Sequence, residues 1–290
     1  MFQENTLIMS IRLLLNKILG LKNNFRLRYF RQRHRWPDFD HPDDYSEIVI
    51  SRMLSENFVK YAEYADKIKV RDYVISKGLE EILLEHYGHY TSFEEIDLEN
   101  LPDKFVLKTN KGASAKDVCI CRDKSTFDWG NTRKRLEKGM KRHFEYEPHY
   151  NRIEPRIICE ELIDTGCEKF PTDYKFTCMN GKIVEIFVCT ERETGRPCHC
   201  SVDLDWNQLP YIREKYLPES IPPKPEHLDE MAAIAEILAS GFDIVRVDLY
   251  EYKGKVRFSE LTFSPLGGIL YPYNDLGLTE LGKKYKETLK

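Results

Sequence analysis

The sequence predicts an α+β protein whose C-terminal half is built on antiparallel sheet. Two hairpin patterns and the helix between them carry that reading. Asp173 to Met179 and Lys182 to Cys189 are strand-like runs joined by Asn180-Gly181, the favoured two-residue hairpin turn because both positions tolerate positive φ. Ile244 to Tyr250 and Val256 to Thr262 form a second pair around Glu251-Tyr252-Lys253-Gly254-Lys255. From Pro225 to Ser240, Met231, Ile234, Ile237 and Leu238 make an apolar stripe at helical spacing, stopped by Gly241.

The elements upstream follow in order. Leu7 to Leu21 is apolar but broken by Arg12, Asn16 and Lys17, too short and too charged to span a membrane. Within it Leu7, Ile11, Leu14, Leu15 and Ile18 recur at helical spacing, which predicts an amphipathic helix. Helical patterns continue from Tyr45 to about Tyr64 and from Arg71 to Tyr87. Ser92 to Leu101 reads as an acidic loop, and Pro102 then opens a strand, Phe105-Val106-Leu107-Lys108. Asp117 to Cys121 alternates in the strand sense, Trp129 to Phe144 suggests a helix, and Arg156 to Glu160 another short strand.

Charge is unevenly distributed. Across 290 residues, 44 Lys and Arg against 48 Asp and Glu give a net of -4, which excludes a chain-wide basic field for nucleic acid. Yet Asn5 to Pro37 holds no acid, and Arg12, Lys17, Lys22, Arg26, Arg28, Arg31, Arg33 and Arg35 make it strongly basic. Such a segment suits an anionic membrane surface, or a helix packed on the body with its charges solvated. Several of the 8 cysteines lie inside strand-like runs, and the opening Met-Phe-Gln-Glu-Asn-Thr lacks the basic start of a signal peptide. Reduced thiols and a cytoplasmic compartment are expected, with peripheral placement at the inner face of the membrane as the implication of the basic arm. Cys198-His199-Cys200 offers metal-ligand side chains, but its spacing differs from C-x2-C half-sites and no second half is evident.

Three segments carry chemistry. Lys108-Thr109-Asn110-Lys111-Gly112-Ala113-Ser114-Ala115-Lys116 places a lysine at a strand end before a loop of small residues, which suits a phosphate cradle, although taken alone it better describes a plain hairpin loop. It lacks the G-x-x-x-x-G-K-[ST] pattern of a P-loop. In Val245-Arg246-Val247-Asp248-Leu249-Tyr250 and Phe258-Ser259-Glu260-Leu261-Thr262, residues of matching parity on paired strands share a face, so Arg246, Asp248, Glu260 and Thr262 can converge. Two carboxylates and a hydroxyl make a hard-oxygen site suited to Mg²⁺, although alternating polar residues also line solvated sheets. The third runs from Ile158-Cys159-Glu160-Glu161-Leu162-Ile163 to Asp173-Tyr174-Lys175-Phe176, with Asp173 and Lys175 on one face and Arg192 following.

In this order the segments resemble the ATP-grasp fold and, within it, the TupA-like branch of polysaccharide and teichuronopeptide biosynthesis. Ala65-Asp66-Lys67 with Val70-Arg71, Leu101-Pro102, and Glu260-Leu261-Thr262-Phe263-Ser264-Pro265-Leu266-Gly267-Gly268 add to the likeness, which covers about Tyr64 to Asp275. The resemblance implies two α+β subdomains with antiparallel sheets sandwiching ATP. Residues 1–66 would be a basic helical region in place of the family's α/β N-terminal domain, 67–160 the smaller subdomain with its phosphate lid, and 161–290 the subdomain with the metal site. It further implies that Lys67, Lys108, Gly112 and Ser114 meet the phosphates, and that Glu160, Glu161 and Leu162 hold adenine. Asp173 would approach ribose or substrate, Lys175 and Arg192 the γ-phosphate, and Arg246 an oxyanion. Asp248, Glu260 and Thr262 would hold Mg²⁺, with Thr262 standing where many members carry Asn.

The activity so implied is an ATP-dependent carboxylate–amine ligase joining a sugar acid of a surface polysaccharide to an amino acid or amine through an acyl phosphate. The partners are then the glycan substrate and the amine, with no nucleic acid and with membrane contact through the basic arm. A kinase acting on a sugar hydroxyl with the same ATP site, and a non-catalytic membrane-associated scaffold, are the rival readings.

Overall fold

The computed structural model describes residues 6–112, 115–166 and 169–290, with side chains from residue 19 onward except that of residue 115. Helix α1 (Thr6–Arg33) is interrupted at Gly20, where φ is 70°. Helix α2 (Tyr45–Leu54) begins at a capping box: the Asp44 carboxylate accepts from the Glu47 amide, and the Glu47 carboxylate accepts from the Asp44 amide. A 3-10 stretch, Glu56–Tyr61, leads to α3 (Ala62–Ala65) and then α4 (Lys69–Ser76). The helical pattern expected from Tyr45 to Tyr64 is thus split, and the one expected from Arg71 stops at Ser76, where Gly78 at φ 75° turns the chain.

Four strands form the smaller sheet: β1 (His86–Tyr90), β2 (Phe105–Thr109), β3 (Cys119–Cys121) and β4 (Ile157–Glu160), ordered β1-β4-β2-β3 and antiparallel throughout. β1 replaces the end of the expected helix, because His86-Tyr87-Gly88-His89-Tyr90 pairs along β4. Helix α5 (Trp129–Met140), capped by Asp128, covers one face, burying Leu136 against Phe105, Leu107, Ile157 and Cys159. Alternation along the strands then turns Lys108, Ile158 and Glu160 to the opposite face. Gly139 permits the close approach of α5, since a Cβ there would lie 2.7 Å from Asp117 Cγ and 2.9 Å from Thr109 Cγ2.

The larger sheet contains β5 (Asp173–Met179), β6 (Lys182–Thr190), β7 (Cys198–Val202), β8 (Gln208–Leu209), β9 (Ile244–Tyr252) and β10 (Lys255–Thr262). Their order is β10-β9-β5-β6-β7-β8, again antiparallel. Both expected hairpins are present, and the second closes on Lys253-Gly254 alone, at φ 52° and 67°, rather than on five residues. Helix α6 (Leu228–Ala239) packs Met231, Ile234, Ala235 and Leu238 onto one face of this sheet. Helix α7 (Asp275–Glu287) closes the chain against α2, where Gly282 leaves no room for a Cβ beside the Asp43 carbonyl.

The basic segment is, from residue 22 onward, largely built into the body. Phe25 and Tyr29 are fully buried, and the Tyr29 hydroxyl donates to Asp44 Oδ2 at 2.5 Å. Arg33 is buried and donates to the main-chain oxygens of Tyr273 at 2.8 Å and Leu270 at 2.9 Å. Arg35 meets Glu47 and Asp44, Lys22 meets Asp40, and Arg28 stacks 4.0 Å from the Tyr146 ring centroid. The side chains of residues 7–18, on which the expected amphipathic stripe falls, lie outside the described residues. Among the described residues no helix is long and apolar enough to cross a membrane.

Two predictions follow from these contacts. Removing residues 1–37 deletes two core aromatics and strips Leu270 and Tyr273 of their donor, so urea unfolding should lose at least about 5 kcal/mol. An unchanged midpoint would show the segment to be a detachable arm. Glu185, wholly buried on β6, accepts from Thr177, Ser201 and Tyr273 hydroxyls, and burial raises its pKa despite them. The folded state therefore keeps a proton that the unfolded chain releases near about pH 4.3. Stability should fall as pH rises from there through the raised folded pKa. Glu185→Gln should flatten that interval in denaturation curves taken at about pH 4 and about pH 8; parallel curves for the two proteins would refute the account.

Candidate active site

The polar face of the larger sheet, turned away from α6, gathers most of the expected residues. Asp173 and Lys175 on β5 stand beside Arg246 and Asp248 on β9 and Glu260 and Thr262 on β10. Their side chains form one continuous series of charge contacts. Arg192 Nη1 lies 2.9 Å from Asp173 Oδ2, and Lys175 Nζ lies 3.2 Å from the same oxygen and 2.6 Å from Asp248 Oδ2. Arg246 donates to both Asp248 oxygens, at 2.6 and 2.7 Å. Its Nη2 also donates to Thr262 Oγ1 at 3.2 Å, and that hydroxyl donates to Glu260 Oε1 at 3.1 Å. Lys67 ends the series, 3.0 Å from Glu260 Oε2.

Register makes this convergence. The two-residue turn of the β9–β10 hairpin pairs Phe258 with Leu249, a register that would set Ser259 opposite Asp248. A β-bulge between Phe258 and Glu260 inserts one residue, so that Glu260 faces Asp248 and Thr262 faces Arg246. The β5–β6 hairpin repeats the device: its irregularity beside Thr177 brings Glu185 rather than Val184 opposite Thr177.

The electrostatics match burial. Burial alone would raise the Glu260 pKa, but Lys67, Lys175 and Arg246 outweigh it and hold the carboxyl at about 2. Burial would lower Lys175, yet Asp173 and Asp248 push its pKa up; Arg246 is raised likewise by Asp248 and Glu260. Glu260, Lys175 and Arg246 are therefore charged at neutral pH. His199 on β7 shares this face, 5% exposed with neither ring nitrogen partnered. Burial, then Lys175 and Arg246, lowers its pKa to about 4, so it is neutral. Its neighbours Cys198 and Cys200 point to the other face, which removes the half-site reading. Among the described residues no three His, Cys, Asp or Glu side chains are grouped to hold a metal, and the seven described cysteines are free thiols.

The smaller sheet presents a second pair to the same cleft. Lys108 Nζ contacts Glu160 Oε1 on the adjacent strand. Lys67 Nζ donates to the Gly112 carbonyl at 2.9 Å, tying the loop after β2 to the Glu260 series. Glu160 ends β4, and the Glu161 amide donates to the Glu85 carbonyl at 2.9 Å. Leu162 is buried beyond it. Ser114 lies outside the described residues.

Other residues at the site had no reading of their own in the sequence. Asn110 is the joint of the loop: its Nδ2 donates to Asp66 Oδ1 and to the Glu154 carbonyl, both at 3.0 Å, and its Oδ1 accepts from the Arg156 amide at 2.8 Å. Its carbonyl accepts from the Lys67 amide at 3.1 Å, which sets Lys67 in place. Asn110 and its partner Asp66 sat within quoted segments, so the signal was there without its meaning. Glu147 had no signal; it accepts from Ser264 at 2.6 Å, two residues past Thr262, and burial raises its pKa.

Two carboxylates facing one another suit Mg²⁺, which is commonly held by one or two carboxylates with phosphate and water completing its shell. The cations beside them suit the oxygens of a polyphosphate.

A family model described as TupA-like ATPgrasp matches residues 47–286, a span containing every strand of both sheets. No curated protein matches the chain. Among solved structures, a D-alanine–D-alanine ligase from Bacillus anthracis is 18% identical over 78% of this chain and 65% of its own, with a TM-score of 0.43. That from Helicobacter pylori is 18% identical over 78% and 57%, with a TM-score of 0.45. An L-amino acid ligase from Bacillus licheniformis is 12% identical over 72% and 45%, with a TM-score of 0.42. The chain thus spans 65%, 57% and 45% of the lengths of these three. With 240 of its 290 residues matched by the family model, the chain belongs to the TupA-like ATP-grasp family.

Proposed function

We propose that the chain is an ATP- and Mg²⁺-dependent carboxylate–amine ligase that joins an amino acid or amine to a sugar acid of a surface polysaccharide or its precursor. The observation that carries this reading is the series from Arg192 to Lys67, four cations threaded through three carboxylates on one sheet face. A carboxylate attacking ATP approaches an anion, and only converging positive charge offsets that repulsion. In this reading Lys67, Lys108 and the Gly112–Ser114 loop receive the phosphates, and Glu160, Glu161 and Leu162 hold adenine through the main chain. Asp173 orients ribose or substrate, Lys175 and Arg192 steady the γ-phosphate, and Arg246 stabilises the oxyanion that forms as the amine adds to the acyl phosphate. Asp248 and Glu260 hold Mg²⁺, which when bound supplies charge neutralisation to the transferring phosphoryl group. Thr262, engaged with both Arg246 and Glu260, contributes least to the metal. The amine then displaces phosphate and leaves an amide.

Incubating the protein with ATP, Mg²⁺ and panels of uronic acids and amines should release ADP and give a product with the mass of an amide. A phosphosugar would favour the kinase instead, and release of AMP and pyrophosphate would contradict the acyl phosphate. Membrane contact, under the same proposal, falls to residues 6–18, because Arg33 is buried while Lys22 and Arg35 are engaged at the surface by Asp40 and by Asp44 and Glu47. The two cations of residues 6–18 are worth only about 2 kcal/mol on an anionic surface; co-sedimentation with anionic vesicles should therefore be weak and should vanish without residues 1–18.

Glu260→Gln removes a metal-facing charge and should lower turnover by about a hundredfold or more while Mg-ATP still raises the melting temperature. Arg246→Lys keeps the charge but loses the fork that grips Asp248, and should depress kcat more than it raises KM for ATP. Full activity in either variant would exclude these assignments.

A further inference from the structure

A recess of about 720 Å³ is lined by Lys116, Asp117, Arg135, Lys138, Arg142 and Glu147, with Phe144 among them. Four of these groups are cationic and two acidic. Asp117 is already paired with Arg142 at 2.7 Å, and the Glu147 carboxyl accepts from Ser264. Burial raises the pKa of both acids, weakening their claim on the remaining cations. Arg135 is held by main-chain acceptors, donating to the carbonyls of Lys116 at 3.1 Å and Val118 at 2.9 Å. The Lys116 and Lys138 ammonium groups form no ion pair among the described residues.

Position says what such a recess is for. Its Glu147 wall touches Ser264, in the segment that follows Thr262. Its Lys116 wall ends the loop whose Gly112 carbonyl holds Lys67. Glu160 to Leu162 leave the smaller sheet at the opposite end, since β2 and β4 are antiparallel with Val106 opposite Glu160 and Thr109 opposite Ile157. The recess therefore lies past the phosphate end of the cleft, away from the end proposed for adenine. From Arg135 to Arg142 it runs about 10 Å along α5 and just beyond, longer than one carboxylate needs.

We propose that this recess docks an oligomeric acceptor, binding carboxylates that neighbour the reacting one on a polyuronate-type chain. The proposal rests on the ligase reading above and deepens it, assigning a surface of the chain to the carboxylates that neighbour the reacting one on the polysaccharide acceptor. The decisive variant is Lys138→Glu, which reverses an exposed charge outside the ATP- and metal-binding residues.

Calorimetry on the full chain with a galacturonate trimer, galacturonate monomer and Mg-ATP tests it. The trimer should bind the wild type more tightly than the monomer, weaken with salt, and lose about tenfold in affinity in Lys138→Glu. Mg-ATP affinity and ADP release with a monomeric acid should be unchanged. Equal binding of trimer and monomer, no effect of Lys138→Glu, or a parallel loss of Mg-ATP binding would overturn it, the last by assigning the recess to the nucleotide. If no amine yields an amide yet the trimer still binds in a Lys138-dependent way, the ligase reading falls while the docking site stands. Amide formation from monomers without preference for the trimer means the reverse.

Discussion

The β-bulge between Phe258 and Glu260 is the constraint on which the rest of the site depends. A two-residue turn at Lys253-Gly254 commits β9 and β10 to one register, and in a two-residue pleat that register decides which side chains share a face. Continued unchanged, it would bring Ser259 and Leu261 to the polar side and bury Glu260 under α6. One inserted residue reverses the parity and delivers Glu260 and Thr262 to Asp248 and Arg246. The neighbouring hairpin, closed as tightly by Asn180-Gly181, uses the same insertion to bring Glu185 onto that face. Two short turns give rigid hairpins, and two bulges aim their carboxylates.

What those carboxylates meet explains how the face tolerates its charge. Burying an ion alone is costly, and removing one partner of a buried pair leaves that cost exposed. Here each carboxylate sits between cations: Asp173 between Arg192 and Lys175, Asp248 between Lys175 and Arg246, Glu260 between Arg246 and Lys67. The series crosses from the loop after β6 to the segment before α4, so it also binds separate parts of the chain together. A polyphosphate and a divalent cation entering such a series exchange partners without creating an unpaired charge. Lys67 is pivotal to this, because Asn110 fixes its backbone while its ammonium bridges the loop carbonyl and Glu260.

Much of this was legible in the sequence. Both hairpins, helix α6 and the strands around Lys108 and Glu160 follow from turn residues and periodicity, and the order of the segments identified the family. The convergence of Arg246, Asp248, Glu260 and Thr262 was anticipated by matching parity. That rule holds in the structure only because a bulge compensates for a turn shorter than the five residues assumed, and a bulge leaves little trace in composition. The strand β1 was hidden because His86-Tyr87-Gly88-His89-Tyr90 has no apolar alternation; it exists by pairing with β4. Glu147 is isolated in sequence, and His199 stands out there only between two cysteines that turn to the other face; tertiary packing brings both to the site.

A count of charges says nothing of where their partners lie. The acid-free segment from Asn5 to Pro37 suggests a cationic field, yet a field requires charges that face solvent without partners. Arg33 instead caps two carbonyls at Leu270 and Tyr273, and the Tyr273 hydroxyl reaches Glu185 on the polar sheet face. Arg35 completes the capping box of α2, whose Ser46 in turn donates to the carbonyl of Gly268. These residues form a path from α1 through the C-terminal loop to the sheet that carries the site. The absence of acids nearby follows from the same geometry, since their partners, Asp44, Glu47 and the loop carbonyls, are supplied by later parts of the chain. A basic run in sequence can therefore be the near half of a set of internal contacts, and only burial distinguishes it from an arm that reaches outward.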